Sequence, residues 1–166
     1  MVGVVQNAVP AGIIVHTMLA MQTGMQVYLM AKYDFSLLRE LVRKYRASAL
    51  FLVPVIYSRI LQEWTPEDLK HVRYAISGAA FLSADLSRRL SAMLPKGVTV
   101  GPNWGMTETT TFGTQLEPGE LDSGGSVGRL LPHLELKVAG HDGEGLGPEE
   151  VGEICIKGNT KEPLQK

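Results

Sequence analysis

Short apolar runs alternate with amphipathic helical stretches along the first two thirds of this chain, and that alternation narrows the fold more than any other feature. Gln26 to Met30 and Ala49 to Val53 have the length and make-up of buried strands. Between them Asp34 is placed to cap a helix, with Tyr33 stapled against Leu38. The apolar stripe of that helix reads Leu37, Leu38, Leu41, Val42 and Tyr45, which leaves Arg39, Arg43, Lys44 and Arg46 on a solvated face. Pro54 closes the second run and opens a helix through Tyr57, Ile60 and Leu61. Thr65-Pro66-Glu67-Asp68 looks like a short helix start, with a cap, a proline at the first helical position and acids in the first turn. Val72 to Ile76 is the next strand. Ser83 caps a helix that buries Leu86, Leu90, Met93 and Leu94, stopped by Pro95 and Gly97. Val98-Thr99-Val100 is extended again and breaks off at Gly101-Pro102. Such alternation argues for βαβ units: an α/β fold with a largely parallel sheet and flanking helices.

The last third changes character. Leu134, Leu136 and Val138 alternate with Glu135 and Lys137, and Ile154 and Ile156 with Glu153, Cys155 and Lys157. The glycine- and acid-rich stretch Gly140 to Pro148 joins them as a hairpin connection, so a small antiparallel β unit follows the α/β part. The expected organisation is residues 1–118 as the α/β part, 119–158 as an antiparallel β segment of the same domain, and 159–166 as a divergent tail. At 166 residues, 45% hydrophobic and 20% charged, the chain can bury a core. Its formal net charge of -1 gives no footprint for nucleic acid. The most apolar stretch, Val9 to Met30, is broken by His16, Thr17, Gln22, Thr23 and Gln26 and is too polar for a membrane span. A single cysteine, Cys155, excludes an internal disulfide framework and fits a reducing compartment. A cytoplasmic location is the expectation, with a peroxisomal full-length form left open because the Ser-Lys-Leu address is read only at a true C-terminus.

In open α/β sheets, ligands bind beyond the carboxyl ends of the strands. Two such ends stand out. Val72 to Ile76 runs into Ser77-Gly78-Ala79-Ala80, small residues that let a flat ligand lie against backbone. The later strand runs into Trp104-Gly105-Met106-Thr107-Glu108 and on through Thr109-Thr110-Thr111. There a glycine allows close approach, a hydroxyl can meet a phosphate and a carboxylate can hold a divalent cation. Each segment also has a plainer reading. Thr107 could cap a helix with Glu108 favoured by its dipole, and the small residues could pack a tight turn. If the two strands are neighbours, both loops open on one crevice. No G-x-G-x-x-G follows a strand, which argues against a dinucleotide fold.

In this order the two loops resemble those of the adenylate-forming superfamily, which includes acyl- and aryl-CoA ligases, luciferases and peptide-synthetase adenylation domains. The resemblance runs through nearly the whole chain and is closest to the 4-coumarate–CoA ligase-like branch. Ser77-Gly78-Ala79-Ala80 looks like that family's "SGAAP" loop and Trp104 to Glu108 its "YGMTE" segment. Gly125-Ser126-Val127-Gly128-Arg129 looks like its "GSVGR" turn, and Val151 to Gly158 its "GEICIRG" strand.

The resemblance implies a ligase that activates a carboxylic acid with ATP as an acyl-adenylate and passes it to a thiol. ATP, coenzyme A and Mg2+ are the implied co-substrates and cofactor. Thr107 is implied as a hydrogen-bond donor to the AMP phosphate and Glu108 as the magnesium ligand, the two catalytic positions. Trp104 is implied against adenine, with Asn103 and Gly105 lining that pocket. Gly78, Ala79 and Ala80 are implied as the wall shared by adenine and the acyl group, and Met106 as touching the acyl side.

Departures accompany the match. Pro102-Asn103 stands where the family has glutamine-glycine, Phe81 where it has proline, and Ala8-Val9 where relatives carry an aromatic-histidine pair facing the acyl pocket. His16 reads as a helix residue, and His71, His133 and His141 as solvated. Ser123-Gly124-Gly125-Ser126 superficially resembles a phosphate loop, but no lysine follows it. That lysine loop, the ribose-gripping aspartate and the C-terminal catalytic lysine fall outside the match. The chain therefore reads as the central part of an adenylation domain, not competent alone. The alternative is a non-catalytic binding or interaction module, self-associating through exposed sheet edges.

Overall fold

A computed structural model describes residues 2–3, 10–121 and 125–158. Ala8-Val9, Ser123-Gly124 and the tail 159–166 lie outside the described residues. The chain divides into two compact units, Met1–Arg129 and Leu130–Lys166.

In the first unit the order is β1 (Val2–Gly3), α1 (10–23, with a π-helical stretch at Ile14–Leu19), β2 (Tyr28–Leu29), α2 (Phe35–Lys44) and β3 (Ala49–Leu52). There follow α3 (Pro54–Glu63), α4 (Pro66–Leu69), β4 (Tyr74–Ser77), α5 (Ala84–Ser91) and β5 (Val100–Trp104). A 3-10 turn (Thr107–Thr109) and β6 (Thr114–Gln115) follow, and β7 (Arg129–Leu130) spans the boundary between the units. The sheet runs β2-β1-β3-β4-β5-β6-β7, with the first five strands parallel and β6 antiparallel to β5. Helical crossovers join every parallel pair, as the alternation requires.

Period-two strand geometry sorts the core onto two faces. Leu50, Leu52, Ala75 and Val100 point to the face covered by the main cluster, which includes Leu38, Val42, Ile60, Leu69 and Leu90. Phe51 and Ile76 point the other way and pack against Val15 of α1. Full burial of each leucine or isoleucine in the main cluster stabilises the fold by about 1.5–3 kcal/mol. Tyr57 of α3 ties the sheet from above, its hydroxyl lying 3.3 Å from the Leu50 carbonyl and 3.1 Å from that of Ile76.

The helix starts fall where the caps place them. Asp34 Oδ1 accepts from the Leu37 amide at 2.8 Å, and Ser83 Oγ from the Leu86 amide at 3.2 Å. The face of α2 is corrected in two ways. Its buried residues are Phe35, Leu38 and Val42, while Leu37 and Tyr45 stay at the rim. Arg39 and Arg43 are not simply solvated, because both reach the buried Asp68. Arg39 Nε donates to Oδ1 at 3.1 Å and Nη2 to Oδ2 at 2.8 Å, with Arg43 Nη1 3.6 Å from Oδ1. The Thr65 amide and hydroxyl add bonds of 2.8 and 3.0 Å to Oδ2. Burial alone pushes the Asp68 carboxyl up, but the bonds from Arg39 and Thr65 and the Arg39 charge outweigh it and hold the pKa at about 2.

β5 also differs from expectation. It does not break off at Gly101-Pro102 but runs through both to Trp104. Two serines one turn apart on α5 anchor its start: Ser87 Oγ donates to the Val100 carbonyl at 2.7 Å, and the Val100 amide donates to Ser91 Oγ at 3.0 Å. Pairing with β6 begins only at Asn103, one residue beyond the proline, which limits the cost of its missing N–H.

The second unit is a hairpin of β8 (Leu134–Ala139) and β9 (Glu153–Gly158), antiparallel with Leu136 opposite Ile156. No helix among the described residues is long and apolar enough to cross a membrane.

Candidate functional site

β4 and β5 are parallel neighbours, with Ile76 opposite Gly101 and Ser77 opposite Pro102. Their two loops therefore leave the same rim of the sheet. A Cβ built on Gly78 would lie 2.4 Å from Asn103 Oδ1, so the backbone of the first loop rests directly on a side chain near the end of β5. Ala79 follows at φ 66°, a left-handed conformation that alanine seldom adopts. A groove of about 650 Å³ lies away from these loops, on Phe35, Arg39, Arg43 and Trp64. The crevice itself is an open notch, with Ala79, Ala80, Gly105, Met106, Thr107 and Glu108 exposed and Asn103 and Trp104 half-buried.

The corner after β5 is folded tightly back on itself. A Cβ on Gly105 would meet the Thr111 carbonyl oxygen at 1.9 Å, backbone against backbone, so only glycine fits. Thr110 and Thr111 sit at φ 56° and 99°, the second well outside what a β-branched residue prefers. Strain of this kind gathers at functional sites when the surroundings impose it. Met106, not Thr107, occupies the cap position of the turn. The plainer reading of Thr107 as a cap thus fails. Among the described residues neither the Thr107 hydroxyl nor the Glu108 carboxylate has a partner.

Six buried side-chain polar atoms lack a hydrogen-bond partner among the described residues, and three belong to this rim: Ser77 Oγ, Asn103 Oδ1 and Thr111 Oγ1. Buried polar atoms are normally paired, so the clustering marks the crevice as unlike the rest of the fold. The others are Trp64 Nε1 and both ring nitrogens of His16. His16 lies in α1 as its sequence context implies, edge-on to Phe51, and burial lowers its pKa.

A third segment, evident in the sequence only as a glycine-framed landmark, borders the same rim. Gly128, at φ 89°, lies so close to β6 that a Cβ would meet the Gln115 carbonyl carbon at 2.0 Å. Thr114 Oγ1 donates to the Val127 carbonyl at 2.8 Å. The turn then reaches back to the first loop, where a Cβ on Gly125 would sit 3.6 Å from the Phe81 ring. The two glycines were its sequence signal. No group of three or more His, Cys, Asp or Glu is gathered among the described residues.

Comparison with known proteins gives this geometry a family. The model of the family described as AMP-binding enzyme matches residues 1–161. The chain belongs to the AMP-binding enzyme family. It is 34% identical over 142 residues to the acyl-CoA synthetase ACTT5 of Alternaria alternata, covering 84% of this chain and 25% of that protein. It is 35% identical over 146 residues to 4-coumarate–CoA ligase 3 of Oryza sativa subsp. japonica, covering 83% and 26%. Among solved structures, apo MatB from Rhodopseudomonas palustris superposes with a TM-score of 0.81 at 31% identity, over 95% of this chain and 31% of that one. The AMP-binding-family chain thus spans about a quarter of the length of these curated relatives. The resemblance carried by the small-residue loop and the Trp104 to Glu108 corner is borne out, as is the α/β fold.

Proposed function

We propose that this chain supplies half of the nucleotide cradle, and part of the acyl wall, of an AMP-forming acid–CoA ligase. In that reaction a carboxylate oxygen attacks the α-phosphorus of ATP and the bond to pyrophosphate breaks. A thiol sulfur then attacks the acyl carbon and AMP departs. The names of the relatives support the thiol being coenzyme A.

The observation that carries the reading is the meeting of Gly78 and Asn103 on the rim that also carries a hydroxyl and a carboxylate without a partner among the described residues. Trp104 offers a flat apolar surface for adenine, with Asn103 and Gly105 beside it. Gly78, Ala79 and Ala80 bring backbone close to both adenine and the acid, and Met106 borders the acyl side. The Thr107 hydroxyl donates to an α-phosphate oxygen in a geometry held before substrate arrives. Glu108 is the carboxylate that would hold magnesium, and the ion would supply positive charge against the phosphates.

No lysine follows the glycine-rich stretch Ser123 to Ser126, so that stretch does not offer a lysine to departing pyrophosphate. The isolated chain is expected to bind AMP weakly and to release no pyrophosphate with a panel of aromatic and fatty acids. Calorimetric titration with AMP and an acyl-adenylate analogue tests the cradle. Thr107→Val should weaken AMP by about tenfold, the worth of one hydrogen bond to a charged group. Unchanged affinity in that variant, or pyrophosphate release well above background, overturns the reading. Self-association is proposed on the exposed Ile13, Met18 and Met21 of α1, and light scattering reads it.

A further inference from the structure

We propose that Thr109 is the positioning residue that aims Thr107 and Glu108 at the phosphate, a role that rests on the nucleotide reading above. Thr107 and Glu108 are exposed and, among the described residues, their side chains make no hydrogen bond or ion pair, so something else has to fix where they point. Thr109 Oγ1 accepts from the Met106 amide at 3.0 Å and donates to the Met106 carbonyl at 3.0 Å. The two bonds staple the residue before the pair to the residue after it. Between Gly105 and Thr111 these are the side-chain hydrogen bonds of the corner among the described residues; the rest is backbone. The Thr109 and Thr111 amides reach the Met106 carbonyl at 3.2 and 3.1 Å, and the Thr110 amide reaches the Thr107 carbonyl at 3.0 Å.

The corner needs such a staple because its backbone is strained. Thr110 and Thr111 hold left-handed φ angles that threonine disfavours, and a free loop of this sequence relaxes out of them. Gly105 pressed against the Thr111 carbonyl blocks one route of relaxation. The Thr109 hydroxyl blocks the other by holding both polar groups of Met106 at once. Thr109 is itself half-buried and is argued to act only through its neighbours. A hydrogen bond to phosphate rewards correct direction, so loosening the turn costs phosphate affinity while leaving the adenine surface of Trp104 and Gly78 intact.

That difference gives a readout which general destabilisation does not mimic. The 166-residue chain and its Thr109→Val and Thr109→Ser variants are titrated with AMP and with adenosine, which lacks the phosphate. Valine keeps the shape and removes both bonds, whereas serine keeps both bonds. The expected result is a loss of about fivefold in AMP affinity for Thr109→Val, unchanged adenosine affinity, and recovery in Thr109→Ser. Equal losses for both ligands, wild-type AMP affinity in Thr109→Val, or no recovery with serine overturns the positioning role. If Thr109→Val does not fold, Thr109→Ala is titrated in its place. Hydrogen exchange at the Met106 amide is a separate check: the exposed turn must protect it in the wild type, and fast exchange there overturns the proposal. A wild-type chain that binds AMP no better than adenosine sinks the nucleotide reading itself. An AMP preference lost in Thr107→Val but kept in Thr109→Val sinks only the role of Thr109.

Discussion

The junction of α2 with α4 and the rim beyond β4 and β5 treat buried polar atoms in opposite ways. At the junction both oxygens of Asp68 are engaged, by a two-pronged Arg39, by Arg43 and by the Thr65 amide and hydroxyl. At the rim Ser77 Oγ, Asn103 Oδ1 and Thr111 Oγ1 have no partner among the described residues, and Ala79, Thr110 and Thr111 sit in strained conformations. One region is organised to hold two helices together. The other leaves hydrogen-bonding capacity unused among the described residues and sets it in strained backbone, which is how a binding site differs from a structural joint.

The sharpest way to break this contrast is Gly105→Ala. Its new Cβ would collide with the Thr111 carbonyl oxygen and carbon at 1.9 and 2.6 Å, and neither atom belongs to a side chain that can swing away. We expect a loss of about 3 kcal/mol in thermal or denaturant unfolding, together with loss of AMP binding. A loss below about 1 kcal/mol would mean that the corner yields easily. The unpartnered atoms around it would then reflect looseness, not preorganisation.

Asp68→Ala probes the other region and ranks second. It leaves Arg39 and Arg43 without their shared anion and opens the Thr65 cap, but the guanidiniums are partly exposed and can hydrate. That tempers the cost to about 2–3 kcal/mol. The same carboxylate predicts a pH dependence. Its folded pKa of about 2 lies below its ordinary value of 3.8, so its stabilisation is complete above pH 3.8 and is lost as pH falls through about 2. The wild type should lose about 2 kcal/mol across that window from this group alone, and Asp68→Ala should lose that component. Unfolding curves for the two proteins that stay parallel from pH 5 to pH 2 would show that Asp68 is not the group responsible.

Local features were legible before any coordinates, and distant ones were not. Asp34 and Ser83 act within three residues of themselves, so their caps could be read from sequence. The Arg39–Asp68 clamp joins residues 29 apart, and nothing in either neighbourhood says that α2 and α4 will pack side by side. Arg39 therefore read as one more solvated charge. The run of β5 through Pro102 was hidden for a related reason, since the proline signals a stop and the Ser87 and Ser91 hydroxyls that anchor the strand come from the preceding helix. At the rim, the residue types of both loops were evident and their family resemblance supplied roles. Their contact through Gly78 and Asn103, and the Gly125–Gly128 turn against Phe81, required the sheet order.

The smallest predicted effect carries the contrast furthest, because its sign reverses. Ser77→Ala removes a hydroxyl that is fully buried and unpartnered in the described structure. Folding strips that hydroxyl of water and gives nothing back, whereas alanine has no such debt and leaves only a small void at the end of β4. The desolvation gain and the void nearly cancel, so we expect stability to stay level or rise by up to about 1 kcal/mol. The comparable deletion of a polar group at Asp68 lowers it. A clear loss of stability in Ser77→Ala would mean that the hydroxyl does have a partner in solution, such as an ordered water, and the rim would then be as fully satisfied as the helical junction. A rise in stability coupled to weaker AMP binding would show the opposite: that the rim retains an unpaired hydroxyl at a cost in folding because the ligand, once bound, completes its hydrogen bond.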